Sequence, residues 1–263
     1  MTNRIDRKFS DLKAQGRKGF IAYIAAGDPS LAATKSLALA FEKAGVDILE
    51  LGVPFSDPLA DGIVNQLAAQ RALEAGATVH GVLDMVRAIR KESEIPIVLY
   101  TYVNPVYKYG FAKFHGDAAE AGVDGLLILD LPPEEDREEF TNAAGLKRIR
   151  LIAPTTPPER MREITAKADG FIYYVSREGV TGEQTSVATS LAGQVAEIRK
   201  STKLPIAVGF GVSNPDHVRE IALSADAVVV GSAIVKRIAE HGRDADLVSR
   251  VVGFIQPLIN ALH

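Results

Sequence analysis

Short apolar, β-branched runs alternate along the chain with longer stretches whose apolar residues recur every three or four positions. The short runs are GFIAYIAAG (19–27), VDILELGV (46–53), PIVLYTYV (96–103), VDGLLILDL (123–131), RIRLIAP (148–154), GFIYYV (170–175), PIAVGFG (205–211) and DAVVVGS (226–232). Each has the length of a buried strand. The intervening segments carry helical spacing, as in Leu37, Leu39, Phe41 and Ala44 ahead of Gly45, or Leu83, Val86 and Ile89 ahead of Pro96. Strand and helix alternating eight times, without hairpin signals, predicts parallel βαβ units and an α/β fold, a closed (β/α)8 TIM barrel. An open doubly wound sheet is the rival arrangement, but the chain lacks the early G-x-G-x-x-G turn of that fold. Ile5, Phe9 and Leu12 fall at i, i+4 and i+7, so an additional N-terminal helix within residues 1–16 is expected to cover the lower mouth. No linker or low-complexity stretch divides residues 1–263, which reads as one barrel domain.

One strand breaks the apolar pattern. In DILELGVPFSDPLADG (47–62), alternation puts Leu49, Leu51 and Val53 on one face and Ile48, Glu50 and Gly52 on the other. The outer face of a barrel packs on helices and must be apolar, so Glu50 turns inward near the carboxyl end of its strand, where barrel active sites lie. A buried carboxylate is costly unless it is protonated or paired. Two readings stand: an acid/base group, or a Glu satisfied by backbone or a buried Arg. The following loop brings Asp57 and Asp61 over the same mouth. Asp57 precedes Pro58 as a turn residue does, and Asp61 is placed as an N-cap would be.

Composition narrows the partners. A formal net charge of -3 gives no basic footprint for nucleic acid or an anionic membrane. The longest apolar stretches fall well short of a membrane span, and the polar amino terminus does not resemble a signal peptide. The absence of cysteine removes disulfides, thiolate nucleophiles and thiolate metal ligands, and suits a cytoplasmic protein. The remaining chemistry is found by elimination. No strand's carboxyl end carries a lysine for Schiff-base chemistry, and the five histidines are scattered without metal-ligand spacing. No nucleophile elbow is visible. Glycines after the last two strands, in VGFGVSNPDHV (208–218) and VVGSAIVKRI (229–238), would bring backbone N–H groups and helix N-termini to an anion. SREGVTGEQTS (176–186) opens a Gly/Thr-rich segment, 176–191, long enough to fold over the mouth as a lid. Carboxylate proton transfer on a phosphorylated substrate is what remains.

LELGVPFSDPLADG, YVSREGVTG, GFGVSNPDHV and GSAIVK, in this order, resemble the tryptophan synthase alpha-subunit family over essentially the whole chain. The resemblance implies a lyase that cleaves indole-3-glycerol phosphate to indole and glyceraldehyde 3-phosphate without a metal or organic cofactor of its own. It implies Glu50 as acid/base, Asp61 beside the indole N–H, and Tyr173 in the pocket, where strand parity alone leaves Tyr173 and Tyr174 open. Tyr23, Tyr100 and Leu127 would wall the indole site. Thr181, Gly182, Phe210, Gly211, Gly231 and Ser232 complete the substrate-binding set, with phosphate held mainly by the glycines and Ser232. Family members work with a pyridoxal-phosphate beta subunit, so an alpha2beta2 assembly is expected, with Pro54, Asp57 and Asn104 in partner-facing loops. A barrel retained mainly as an allosteric activator of that partner, or a stand-alone lyase, are the alternatives. Ile63, where the family usually has Pro after LADG, and Leu129, where Pro is more familiar, depart from the pattern.

Overall fold

The computed structural model describes residues 3–135, 145–175, 184–209 and 211–262, with the backbone alone for 184–190. Nine parallel strand segments form the sheet: β1 (Gly19–Ala25), β2 (Ile48–Gly52), β3 (Ile97–Thr101), β4 (Gly125–Ile128), β5 (Lys147–Arg148), β6 (Arg150–Ile152), β7 (Ile172–Val175), β8 (Ile206–Gly209) and β9 (Ala227–Val230). Their order is β5-β4-β3-β2-β1-β9-β8-β7-β6. Only Ile149 separates β5 from β6. Its N–H donates to Leu126 O at 2.9 Å, while Asp169 N–H donates to Arg148 O at 2.8 Å. The two segments are therefore one barrel strand, and the sheet closes into the predicted (β/α)8 barrel. The fifth strand begins one residue earlier than its apolar pattern suggests, because Lys147 pairs with Gly125 of β4.

Around the sheet lie α2 (Leu31–Ala44), α3 (Ile63–Glu74), α4 (Val79–Arg90), α5 (Val103–Tyr109), α6 (Phe111–Ala121), α7 (Pro158–Ala166), α8 (Gln184–Arg199), α9 (Pro215–Ala222), α10 (Ser232–His241) and α11 (Leu247–Asn260). Side-chain caps start several of them: Ser30 accepts from Ala33 N–H at 3.1 Å, and Asn214 accepts from His217 N–H at 3.0 Å. Gly45 ends α2 at a φ of 101°, a left-handed conformation that glycine adopts without a Cβ clash.

Strand parity divides the core as the alternation predicts. Leu49, Leu51, Ile97, Leu99 and Tyr174 pack outward against the helices. Ile21, Ile48, Val98, Leu127, Ile149 and Phe171 fill the barrel. The first helix, α1 (Arg4–Ala14), contributes Ile5, Phe9 and Leu12 to that interior cluster, so it plugs the N-terminal end of the strands as expected.

Carboxylates at the strand entrances reinforce this lower end. Asp47, Asp124 and Asp226 precede β2, β4 and β9, and their side chains accept from Phe20 N–H at 2.9 Å, Ile97 N–H at 2.8 Å and Ile206 N–H at 2.8 Å. Asp169, before β7, instead accepts from Arg148 Nε at 3.2 Å. Asp124 also pairs with Arg90 at 2.7 Å and with Arg4 of the plug at 3.2 Å.

Candidate active site

Register places the central groups. Tyr23 of β1 lies beside Glu50 of β2, and Gly52 beside Tyr100 of β3, which in turn lies beside Leu127 of β4. All share the inward parity. Glu50 is fully buried, and neither carboxylate oxygen has a hydrogen-bond partner among the described residues. Burial pushes its carboxyl from an ordinary 4.5 up to about 8. Of the two readings that the sequence allows, a Glu already satisfied by backbone or by an arginine is thus not the one observed.

Asp61, half-buried on the loop before α3, is held very differently. Tyr102 Oη donates to Oδ2 at 2.7 Å, Tyr100 Oη to Oδ1 at 3.1 Å, and Asn65 Nδ2 approaches Oδ1 at 3.5 Å. Burial raises its carboxyl above the usual range, and these donors offset part of that rise. The two acids therefore sit in contrasting environments, one dry and one donor-rich, the arrangement that separates an acid from an ionised carboxylate. Asp61 is not the helix N-cap: that position belongs to Gly62, without a side-chain bond.

Tyrosines tie the pair together. The rings of Tyr23 and Tyr100 meet edge to face at 5.0 Å. Burial raises the Tyr23 and Tyr173 hydroxyls well above their usual range, and the charges of Glu50 and Asp61 add to both shifts. Tyr173 belongs to the interior cluster, whereas Tyr174 faces the outer core and its hydroxyl donates to Gln194 Oε1. The structure therefore places Tyr173, not Tyr174, in the mouth. Two strand-end glycines make room for these rings. A Cβ on Gly209 would lie 2.7 Å from Tyr173 Oη, and one on Gly52 would collide with the Tyr23 hydroxyl.

The glycine-rich end lies across the mouth. Gly211, with φ 62°, and Ser232, first residue of α10, line a cavity of about 280 Å³ together with Ser213, Ala233, Lys236 and Arg237. Gly231 caps α10 without a side-chain bond, and a Cβ there would sit 3.4 Å from Tyr23 Cβ, so this end adjoins the tyrosine cluster. Arg237 is engaged by Glu240 at 2.8 Å and stacks over Phe254. Thr181, Gly182 and Phe210 lie outside the described residues, as does the 176–183 part of the segment 176–191 expected to form a lid; the remainder, 184–191, belongs to α8.

Among the loop residues expected to face a partner, Asp57 is exposed and Asn104 half-buried, but Pro54 is buried where β2 leaves the sheet. The chain there is held by Val53 N–H donating to Tyr100 O at 2.9 Å, which draws Pro54 inward and leaves the loop beyond it to the surface. Three polar neighbours have no role assigned from the sequence: Tyr102 and Asn65, and Lys236, which lies inside GSAIVK. Their signals are positional. Tyr102 follows Tyr100 by two, and Asn65 and Lys236 lie one helical turn after Asp61 and Ser232. Among the described residues, no three His, Cys, Asp or Glu side chains are grouped to hold a metal ion, and no helix is long and apolar enough to cross a membrane.

Fold and site together define a (β/α)8-barrel enzyme with paired carboxylates in a tyrosine-lined mouth beside a glycine-rich end. The family model described as tryptophan synthase alpha chain matches residues 9–261, and the chain belongs to that family. The tryptophan synthase alpha chain of Opitutus terrae is 54% identical over 241 residues, 91% of each chain. That of Geobacter sulfurreducens is 48% identical over 99% of each. The crystal structure of tryptophan synthase subunit alpha from Legionella pneumophila superposes with a TM-score of 0.91 at 38% identity, covering 100% of this chain and 99% of that one.

Proposed function

We propose that Glu50 is the proton carrier, and Asp61 the indole-facing carboxylate, of a lyase cleaving indole-3-glycerol phosphate to indole and glyceraldehyde 3-phosphate. The observation that carries this reading is the fully buried Glu50 carboxyl, without a hydrogen-bond partner among the described residues and pushed up by burial, facing a mouth that also holds Asp61 and Tyr173. In the first step the Glu50 carboxyl gives its proton to indole C3, and the positive charge that develops on the ring spreads to the N–H. Asp61, kept receptive by Tyr100 and Tyr102, accepts a hydrogen bond from that N–H and stabilises the cation. In the second step the Glu50 carboxylate takes the proton of the glycerol hydroxyl next to the ring. The carbon–carbon bond breaks, its electron pair restores neutral indole, and the hydroxyl carbon becomes the aldehyde. One proton is given and one taken, so Glu50 ends as it began.

Tyr23, Tyr100, Leu127 and Tyr173 form the apolar wall for the ring. The phosphate is received by Gly211, Gly231, Ser232 and the α10 N-terminus, with Gly182, Thr181 and Phe210 assigned by motif. The partner is a beta subunit carrying pyridoxal phosphate, and the assembly works in the cytoplasm. Supporting an interface in the partner-facing loops, Leu59, Ile63 and Tyr107, in the same chain segments as Asp57 and Asn104, expose large apolar side chains, Leu59 to 85%. The departure at Ile63 thus adds apolar surface to this face and leaves the two carboxylates untouched.

The test is indole release from indole-3-glycerol phosphate by wild type and Glu50→Gln, each with and without the beta subunit. The substitution is expected to lower kcat by about 10² to 10⁴. Undiminished release would refute the assignment, and the response to added partner separates a complexed enzyme from a stand-alone one.

A further inference from the structure

Asn65 stands on the first turn of α3, four residues after Asp61, with Nδ2 3.5 Å from Asp61 Oδ1. Its other end differs: Asn65 Oδ1 is shielded from solvent and has no hydrogen-bond partner among the described residues. Its neighbour Val64, like Tyr100, packs against a buried cluster that holds Tyr23 and, one turn on in α3, Ala68, so this part of α3 backs the tyrosine-lined mouth. A buried amide oxygen left without a donor costs free energy that a leucine of similar size would not. Turning the amide over gives no relief, since Oδ1 would then face the Asp61 carboxylate. An orphan acceptor therefore stands beside the carboxylate assigned above to the substrate's ring N–H.

We propose that Asn65 is a positioning residue for Asp61, its amide N–H fixing the carboxylate and its carbonyl offering the substrate's ring N–H a second acceptor. This inference rests on the role given to Asp61 under the proposed function. A donor beside the carboxylate favours its ionised form, offsetting part of the rise that burial imposes. At 3.5 Å the contact is at the outer limit of a hydrogen bond, and such contacts in ligand-free sites tighten when substrate arrives. Two acceptors meeting one N–H restrict the tilt of the ring more than one does.

The experiment is the pH dependence of kcat/KM for indole-3-glycerol phosphate cleavage, measured on the full chain with its beta subunit, for wild type, Asn65→Leu, Asn65→Asp and Asp61→Asn. Unfolding midpoints are recorded in parallel. Leucine keeps the volume and removes donor and acceptor together. The expected result is a fall in kcat/KM of about tenfold, the value of one hydrogen bond to a charged group. The acidic limb also moves to higher pH, because Asp61 has lost a group that stabilised its anion. Aspartate replaces the donor by a second carboxylate, so its limb moves further in the same direction, and it reads the proposal even if the leucine variant does not fold. A residue that merely fills space in α3 would change the unfolding midpoint and leave the limb in place. Folded Asn65 variants with wild-type kcat/KM and an unmoved limb overturn the proposal. If Asp61→Asn abolishes activity in that case, only the Asn65 inference falls. If Asp61→Asn is fully active, the role of Asp61 falls and Asn65 with it.

Discussion

Replacing Glu50 by Gln should make the protein more stable as the pH rises, while removing its activity. The folded chain holds the Glu50 proton up to about 8, whereas an unfolded chain releases it near 4.5. Below the lower value both states are protonated and the group has no effect. Between the two, the unfolded state binds fewer protons than the folded one, so stability falls with pH. Each pH unit costs about 1.4 kcal/mol, and the full interval about 5 kcal/mol, the upper bound set by complete burial. Gln is neutral throughout and escapes this loss. The pH-independent cost of burying its amide cancels when two pH values are compared. Urea unfolding of both proteins should show the stability of Glu50→Gln relative to wild type growing by about 4 kcal/mol from about pH 5 to about pH 8. A difference that stays constant across this window would mean that Glu50 is already ionised in the fold, and the case for a proton carrier would collapse.

Two further outcomes test the scaffold. Asp124→Ala should destabilise the protein by about 3 to 5 kcal/mol, because it strands the largely buried Arg90 and the Ile97 N–H; Asp124→Asn should cost less, and equal melting of the alanine variant and wild type would count against the entrance network. Gly209→Ala should cost about 1 to 3 kcal/mol and lower kcat/KM, since its Cβ meets Tyr173 Oη at 2.7 Å and Val229 Cβ at 2.8 Å. Gly253→Ala, in open space on α11, serves as the control, and indistinguishable turnover for the two variants would show that Tyr173 moves aside without consequence.

Much of this architecture was legible before any coordinates, because period and parity act locally. The alternation around Glu50 is enough to point it into the barrel, and the spacing of Ile5, Phe9 and Leu12 is enough to make a plug. Three things were not. The choice between Tyr173 and Tyr174 depends on strand phase, which an all-apolar run such as GFIYYV does not reveal, so that only the resemblance selects Tyr173. Two of the donors to Asp61, Tyr100 and Tyr102, come from β3 and its continuation, some forty residues away, so only the folded sheet brings them to it. Pro54, placed by the resemblance in a partner-facing loop, is buried, because the hydrogen bond of Val53 to Tyr100 carries the chain inward there. Local pattern reports which way a side chain faces; which distant group it meets depends on register.

The strand-entrance aspartates have a consequence for how the barrel can be divided. Asp47 latches β2 to β1, Asp124 latches β4 to β3, Asp169 ties β7 to Arg148 of β5, and Asp226 latches β9 to β8. With β5 and β6 counted as one barrel strand, so that β7, β8 and β9 are the sixth, seventh and eighth, each carboxylate joins an even-numbered strand to the odd-numbered one before it. The circle is thus four clasped pairs rather than eight equal staves. A chain cut between pairs, as between β2 and β3, keeps every clasp within one fragment, while a cut between β3 and β4 opens one and leaves a buried aspartate facing no partner strand. Seams for fragment reassembly, and units for swapping between related barrels, therefore recur at every second strand.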